Sequence, residues 1–202
     1  MWQDHKLLYV RVPKCGNTSI MNAIDGVEKR RMWAADILSL ADDWTTFSFV
    51  RNPWARIVST FRDKASPDSK SKRMVDGVFA GFLEAGLPVK TDMSFAEFCE
   101  VVCDVPDEKT DKHLRSQASF LIRDDQPIVQ TIGRVEDMET DWNVIMEKAR
   151  LNFKLVHLNK TRGRHYSSYF GDQHLVNLVG DRYAEDIRFF NYDFTRISEA
   201  PA

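Results

Sequence analysis

The sequence predicts an α/β fold, a three-layer sandwich with a mainly parallel central sheet, and two observations indicate it. Short, continuous runs of apolar and β-branched residues, such as residues 6–12 (KLLYVRV) and 45–50 (TTFSFV), are typical of strands buried on both faces. Segments with apolar residues three and four positions apart, such as residues 54–61, are typical of amphipathic helices. The two kinds of segment alternate along the chain, as they do where helices connect parallel strands.

The first half of the chain contains two predicted strands, each followed by a helix. A turn (PKCGN) follows the first strand, and a helix begins within residues 18–24. The second strand ends before Arg51; Asn52 then has the side chain of a helix N-cap, and Pro53 suits the first helical position. The apolar face of this helix contains Trp54, Ile57, Val58 and Phe61, and its predicted polar face contains Arg56, Ser59 and Asp63.

The second half of the chain continues the alternation. Residues 64–73 form a polar, basic loop, and helices are predicted over residues 74–84 and 94–103. Because ligands of open parallel sheets bind beyond the carboxyl ends of the strands, we expect the binding site at that edge. The remaining predicted elements are a strand over 126–132, an amphipathic helix over 135–149, a short strand over 153–157, and closing helices over 172–180 and 182–190.

The composition is that of one soluble globular domain over residues 1–202, with 43% apolar and 29% charged residues. The net charge of −2 provides no field that would attract nucleic acid or an anionic membrane, so we expect neither as a partner. No apolar run approaches the roughly 18–20 residues of a membrane span. Three cysteines without zinc-type spacing, Cys15, Cys99 and Cys103, predict reduced thiols, a cytoplasmic location and no metal site.

The turn after the first strand has the features of an anion site. A loop between a strand and a helix directs backbone N–H groups to one point, and Gly16 allows the backbone to approach an anion closely. Lys14 adds a full charge, and Thr18 and Ser19 add hydroxyl donors. The alternative interpretation is an ordinary strand-to-helix turn with a capping hydroxyl.

Two better-known anion loops fit this turn poorly. The nucleotide-kinase loop G-x-x-x-x-G-K-[ST] places its lysine after the second glycine, whereas Lys14 precedes Gly16. A cysteine-dependent phosphatase needs an arginine a few residues after the cysteine, but Cys15 is followed by Ile20, Met21 and Asn22 at those positions.

A second pair of residues is suited to another phosphate. Arg51 follows the second strand, and Ser59 comes eight residues later on the predicted polar face of the helix. A guanidinium and a hydroxyl in this arrangement can bind a phosphate, although exposed serines and arginines are common on helices.

In this order, the two segments resemble the 3′-phosphoadenosine-5′-phosphosulfate-dependent sulfotransferases. Residues 49–64 (FVRNPWARIVSTFRDK) are especially similar to the carbohydrate sulfotransferases, and the later stretches IGRVEDMETDW, HLNKTRGRHY and DRYAEDIRFFNYDF extend the resemblance over residues 7–194. The resemblance implies a P-loop-like nucleotide-binding topology and this nucleotide as the sulfuryl donor. The Golgi enzymes of the family carry a membrane anchor and a longer luminal region, so a soluble, bacterial-type member is the simpler expectation.

The resemblance also implies roles for individual residues. Arg51 and Ser59 would bind the 3′-phosphate of the nucleotide, and the basic residues Lys160, Arg162 and Arg164 would belong to a late loop that closes over it. The 5′-phosphosulfate would be held by Pro13, Lys14, Cys15, Gly16, Asn17, Thr18 and Ser19.

The acceptor, a carbohydrate or another molecule with a hydroxyl group, needs a general base. His113 is the first candidate, because it occupies the position where the resembled enzymes carry a histidine and because imidazole titrates near neutral pH. His157, Glu28 and Asp36 are the other candidates. Arg115, Ser116 and Gln117 are expected to hold the acceptor.

Two further expectations concern chemistry. Lys14 is placed to stabilise the charge that develops on the leaving phosphate, so no metal is required. Cys15, beside a lysine and a helix N-terminus, is expected to be oxidation-sensitive. The alternatives to a sulfotransferase are a magnesium-dependent nucleotide kinase and a nucleotide-binding module without catalysis.

Overall fold

A computed structural model describes residues 1–40, 42–66, 69, 71, 73–76, 78–90, 92–155 and 164–194. The chain divides into two compact units, each made of two segments. The first unit comprises Met1–Arg51 and Gln117–Arg162, and the second comprises Asn52–Ser116 and Gly163–Ala202.

A three-stranded parallel sheet forms the centre of the first unit. Its strands are β1 (Leu7–Val10), β2 (Thr45–Val50) and β7 (Thr131–Arg134), in the order β1-β2-β7. The register aligns Leu7 with Thr45 and Phe47 with Thr131. The first unit is therefore α/β, with β2 as the central strand, and β2 is almost wholly buried as its apolar sequence predicts.

Helices and a short hairpin complete the first unit. The helix α7 (Met138–Lys148) packs against β7 and β2, where the ring of Trp142 lies edge-on to Phe47, with the ring centroids 6.0 Å apart. The other elements are α1 (Asn17–Met21), α2 (Ala34–Leu38), α6 (Ala118–Leu121), and the hairpin strands β5 (Ile122–Arg123) and β6 (Gln126–Pro127).

The second unit is mainly helical. Its longest helix, α3 (Pro53–Lys64), packs against α5 (Phe95–Cys103) and α8 (Gln173–Arg182). An aromatic core joins them, with Phe61 in contact with the rings of Phe95 and Phe98 at 5.4 Å. The other elements are β3 (Met74–Val75), β4 (Val78–Phe79), α4 (Ala80–Glu84) and α9 (Ala184–Phe190).

Capping residues determine where the two main helices of this unit begin. Asn52 accepts hydrogen bonds from the N–H groups of Trp54 (3.1 Å) and Ala55 (3.3 Å), and Pro53 occupies the first helical position. Ser94 caps α5 in the same way, by accepting from the N–H of Glu97. The predicted starts of α3 and α5 are therefore confirmed, and both are marked in the sequence by a capping residue.

Several other predictions are confirmed with small shifts of boundary. The strand at residues 6–12 is β1, the strand at 45–50 is β2, and the helix at 94–103 is α5. The predicted helix over 135–149 is α7, and the two closing helices are α8 and α9. The helix expected within 18–24 is α1, which is short and begins at Asn17.

Three predictions were wrong. Of the helix predicted over 74–84, only Ala80–Glu84 is helical, as α4; the residues before it form the β3–β4 hairpin, where Asp76 has a φ of 48°. The strand over 126–132 is two strands: β6 pairs with β5, and β7 starts only at Thr131. The strand predicted over 153–157 is absent from residues 153–155, the part that the structure describes, and the carbonyl of Phe153 instead accepts from Trp142 Nε1 at 2.7 Å.

The predicted polar face of α3 also needs correction. Arg56 is fully buried rather than exposed, and its guanidinium lies over the ring of Tyr183 at 5.8 Å. None of the helices in the described part of the chain is long and apolar enough to cross a membrane.

Candidate functional site

The loop between β1 and α1 has an unusual backbone. Lys14 has a φ of 70° and Gly16 a φ of 73°, so left-handed residues stand on both sides of Cys15. Successive N–H groups in such alternating conformations form a concave surface that suits an anion. Among the described residues, the N–H groups of Asn17 and Thr18 have no acceptor, so both are available to a ligand.

Gly16 is required in this loop for two reasons. Its φ of 73° is one that glycine adopts at no steric cost. In addition, a Cβ at this position would overlap Met138 Cε, because Met138 packs directly on the loop. The first turn of α7 therefore supports the loop from behind.

The side chain of Asn17 holds the loop in shape. Tyr9 Oη donates to Asn17 Oδ1 at 2.6 Å, and Asn17 Nδ2 donates to the Val12 carbonyl at 2.9 Å. Burial raises the pKa of the Tyr9 hydroxyl well above its usual value, so it remains a proton donor at neutral pH. The Asn17 side chain is thus engaged in the scaffold, whereas Thr18 is exposed and Ser19 is buried.

Gln117 connects this loop with the end of β2. Its Nε2 donates to the Arg51 carbonyl at 2.8 Å, and its Oε1 accepts from the Arg51 N–H at 2.8 Å. The same Oε1 accepts from Cys15 Sγ at 3.2 Å. One fully buried amide therefore fixes the backbone of Arg51 relative to Cys15. Its role in the scaffold replaces the acceptor-binding role expected from the sequence.

Cys15 lies in an environment that differs from the expected one. The thiol is fully buried, and it donates to Gln117. Reactive cysteines are partly exposed, so burial argues against the oxidation sensitivity that its neighbours in the sequence indicate. Cys99 and Cys103 are also buried and free, as expected.

The remaining nucleotide-binding candidates are distributed over the chain. Arg51 is partly exposed in the first unit, Ser59 is partly exposed on α3 in the second, and Arg164 is exposed. Lys160, Arg162 and the candidate base His157 lie outside the described residues.

His113 lies in the second unit, in a loop that follows α5. Its Nδ1 is 2.5 Å from Asp111 Oδ1, and its backbone N–H donates to the same oxygen at 2.9 Å. The His113 side chain is 16% exposed and that of Asp111 12%. Burial raises the pKa of Asp111, but the hydrogen bonds from His113 outweigh this effect, and the net pKa is below the ordinary value.

Buried polar groups hold the His113 loop from below. The His113 carbonyl accepts from Thr60 Oγ1 at 3.2 Å, and the Leu114 carbonyl accepts from Tyr183 Oη at 2.9 Å. Asp107 accepts from the Ser116 N–H and pairs with Arg182 at 2.6 Å. The Ser116 hydroxyl also bonds to Asp107, so it is not available to hold an acceptor.

The two other candidate bases in the described residues are exposed. Asp36 accepts from the Trp33 N–H at 2.8 Å and so fixes the start of α2. The Glu28 carbonyl accepts from the N-terminal amine at 2.8 Å. Asp36 thus has a local structural role, and neither carboxylate is enclosed as His113 is.

The sequence signals missed three parts of this site. Asp111 stands two residues before His113, and a carboxylate so close to a candidate base is a signal that the sequence does offer. Tyr9 acts through Asn17, and no motif marks it. Gln117 is predicted from its place beside His113, but for acceptor binding, and its contact with the distant Cys15 has no sequence signal. Among the described residues, no three histidine, cysteine or carboxylate side chains cluster as metal ligands.

Comparison with known proteins identifies the family. The model of the sulfotransferase family matches residues 1–193, which is nearly the whole chain. Searches of curated proteins and of solved structures each returned no significant match. The chain belongs to the sulfotransferase family.

Proposed function

We propose that this protein transfers a sulfuryl group from 3′-phosphoadenosine-5′-phosphosulfate to a hydroxyl group of an acceptor, and that the acceptor is a carbohydrate. The observation that carries the proposal is the family match over residues 1–193. The loop between β1 and α1 supports it, since this loop presents N–H donors that have no acceptor among the described residues.

The reaction breaks the bond between sulfur and the bridging oxygen of the donor and forms one between sulfur and the acceptor oxygen. Lys14 and the N–H groups of the loop would stabilise the negative charge that remains on the leaving phosphate. Each such donor typically contributes about 3–4 kcal/mol in a preorganised site. Charge neutralisation by side chains makes a metal ion unnecessary for this reaction.

The two phosphate-bearing ends of the nucleotide are assigned to different residues. Residues 13–19 would hold the 5′-phosphosulfate. Arg51 and Ser59 would hold the 3′-phosphate, with Lys160, Arg162 and Arg164 in the loop that closes over the nucleotide. The clamp of Gln117 on the Arg51 backbone supports the assignment of Arg51, because it fixes the residue relative to the loop at Cys15.

His113 would take the proton of the acceptor hydroxyl. General-base catalysis of this kind contributes typically about 10²–10⁴-fold in rate. The carbohydrate acceptor is supported by the resemblance of residues 49–64 to the carbohydrate sulfotransferases. Cys15, Cys99 and Cys103, all of them described, form no disulfide, and this is consistent with a cytoplasmic protein.

A transfer assay tests the proposal. The protein is incubated with ³⁵S-labelled donor and a panel of oligosaccharides, with and without a chelator. We expect labelled product in both conditions, and none with Lys14→Ala. Transfer that required magnesium and a nucleoside triphosphate would indicate a kinase, and the absence of any labelled product would indicate a binding module. Either result would exclude the proposed reaction.

The assignment of Arg51 has its own test. Arg51→Ala is expected to weaken calorimetric binding of 3′-phosphoadenosine-5′-phosphate by about tenfold or more, because a charge-assisted bidentate contact is lost. Binding of the nucleotide without the 3′-phosphate should change far less. Equal losses for the two nucleotides would remove the proposed role of Arg51.

A further inference from the structure

The contact between Asp111 and His113 determines which ring nitrogen carries the proton. The low pKa of Asp111 keeps its carboxylate ionised at neutral pH, so the carboxylate only accepts. At 2.5 Å from Oδ1, Nδ1 of His113 must therefore carry a hydrogen. In the neutral ring, Nε2 then has the free lone pair. Among the described residues, no hydrogen bond engages Nε2.

We propose that Asp111 is a positioning residue for sulfuryl transfer: it fixes the proton of His113 on Nδ1 and leaves Nε2 to accept the proton of the acceptor hydroxyl. This inference rests on the proposed function, in which His113 is the base. In the step itself, the acceptor O–H bond breaks, the proton goes to Nε2, and the oxygen electron pair forms the bond to sulfur. The bond between sulfur and the bridging oxygen of the donor breaks, and 3′-phosphoadenosine-5′-phosphate leaves with that electron pair. The carboxylate stabilises the resulting imidazolium and remains ionised.

The surroundings of the pair restrict its movement. The ring of His113 lies edge-on to Phe79 at 5.5 Å, and the carbonyls of His113 and Leu114 are held by Thr60 and Tyr183. Asp111 Oδ1 accepts both from the ring and from the backbone of His113, so the carboxylate fixes ring and main chain together. A catalytic base requires this kind of support from neighbouring side chains.

Gly81 provides the space for the carboxylate. A Cβ at this position would lie 2.6 Å from Asp111 Oδ2. The same Cβ would lie 2.7 Å from Phe79 Cε1, so a larger residue would force the carboxylate of Asp111 or the ring of Phe79 to shift. This contact makes Gly81 a second position from which the pair can be disturbed without changing either member.

The first test compares two substitutions of Asp111. Asp111→Ala removes the acceptor, and the ring should revert to the tautomer with the proton on Nε2, which the free side chain prefers. We expect kcat to fall about 100-fold or more, with the acceptor KM within about twofold of the wild-type value. Asp111→Asn keeps an accepting oxygen and should recover part of the rate. Asp104→Ala, a nearby exposed carboxylate, is the matched control and should retain full activity.

The second test reads the tautomer directly and needs no substrate. Ring-¹⁵N-labelled histidine distinguishes the protonated from the unprotonated nitrogen by chemical shift, and His113→Gln identifies the signal. In the wild type, in buffer at about pH 9, the proton should be on Nδ1, and in Asp111→Ala it should be on Nε2. A role of Asp111 in loop structure alone would leave the tautomer unchanged.

The third test uses Gly81→Ala, with Gly171→Ala as the control, because a Cβ at Gly171 meets no atom within 4 Å. Gly81→Ala should lower kcat about tenfold while the affinity for 3′-phosphoadenosine-5′-phosphate stays unchanged.

Wild-type kcat in Asp111→Ala, or an Nδ1 proton that persists in that variant, would overturn the inference. Failure of the wild-type protein to transfer sulfuryl groups would instead overturn the proposed function, and the tautomer measurement would still test the hydrogen bond.

Discussion

The side chain of Gln117 illustrates how one buried residue can organise a candidate site through its contacts with neighbouring residues. It is fully buried, and it satisfies the N–H and the carbonyl of Arg51, which follows β2, while accepting from Cys15. Its separation of 102 residues from Cys15 explains why the sequence gives no sign of the contact. A buried amide with these partners is costly to remove, since its hydrogen bonds to the Arg51 backbone and from Cys15 are lost together.

Gln117→Ala should therefore lower the free energy of unfolding by about 2–3 kcal/mol, because two hydrogen bonds to the Arg51 backbone are lost. It should also weaken binding of 3′-phosphoadenosine-5′-phosphate, because the position of Arg51 is no longer fixed. Urea denaturation and calorimetry measure the two effects. Gln126→Ala, at an exposed residue of β6, is the control and should change neither. A stable Gln117→Ala variant with full affinity would show that the clamp is dispensable.

The thiol of Cys15 leads to a second prediction for a single residue. Since all three cysteines are buried, iodoacetamide should modify the folded protein slowly, and all three thiols should react only after unfolding in urea. Mass spectrometry of the time course identifies each modified site. Rapid and selective labelling of Cys15 in the folded protein would support the oxidation-sensitive thiol inferred from the sequence.

At the scale of elements, β7 and α7 pack closely because of Gly133. A Cβ at this position would lie 2.6 Å from Phe49 Cε1 and 3.0 Å from Asp141 Cβ. Because the two elements are so close, Asp141 Oδ2 accepts a hydrogen bond from the Arg134 N–H at 2.6 Å. The strand and the helix are thus joined both by packing and by a hydrogen bond, and α7 also carries Met138 to the anion loop.

Gly133→Ala should destabilise the protein by about 1–3 kcal/mol, because the added methyl group overpacks the space between Phe49 and Asp141. Thermal and urea denaturation measure the loss. Gly171→Ala should leave the stability nearly unchanged, since its Cβ would meet open space. If both variants were equally stable, the close approach of α7 to β7 would not be a requirement of the fold.

The elements that the sequence predicts well are those with strong local signals. Asn52 and Pro53 mark the start of α3, and the apolar run over 45–50 marks β2 to the residue. The short helices α2 and α6 carry no comparable signal, and residues 74–84 show apolar spacing that fits a helix although Asp76 turns the chain. Periodicity alone cannot distinguish a hairpin from a helix over so few residues.

At the scale of the whole molecule, the distribution of charge could not be read from composition. The net charge of −2 is unremarkable, yet the second unit buries Arg56 and Asp186 almost completely. Arg182 and Asp107 are 75 residues apart in the chain and pair at 2.6 Å beneath the His113 loop. Burial and pairing of this kind depend on tertiary contacts, whereas in the sequence these residues look like ordinary surface charges.

The carboxyl groups of Asp107 and Asp111 make the free energy of unfolding depend on pH. Burial raises the pKa of Asp107, but the hydrogen bonds from Ser116 and Arg182 outweigh this effect, so the pKa is below the ordinary 3.8. Burial also raises the pKa of Asp111, and the hydrogen bonds from His113 outweigh this effect, so that pKa is lowered as well. In the unfolded chain both carboxyls take up a proton at a higher pH than in the folded chain. Their contribution is therefore complete above the unfolded pKa and is lost as pH falls through the folded values.

We expect the free energy of unfolding to decline as pH falls below about 4, and the decline to be shallower in Asp107→Asn. At neutral pH this variant should already be less stable by about 2 kcal/mol, because the partly enclosed guanidinium of Arg182 loses its carboxylate. Urea titrations followed by circular dichroism from pH 7 to pH 3 measure both effects. Asp92→Asn, at an exposed site, should show the wild-type pH dependence. A parallel decline in Asp107→Asn and the wild type would mean that Asp107 is as easily protonated in the folded chain as in the unfolded one.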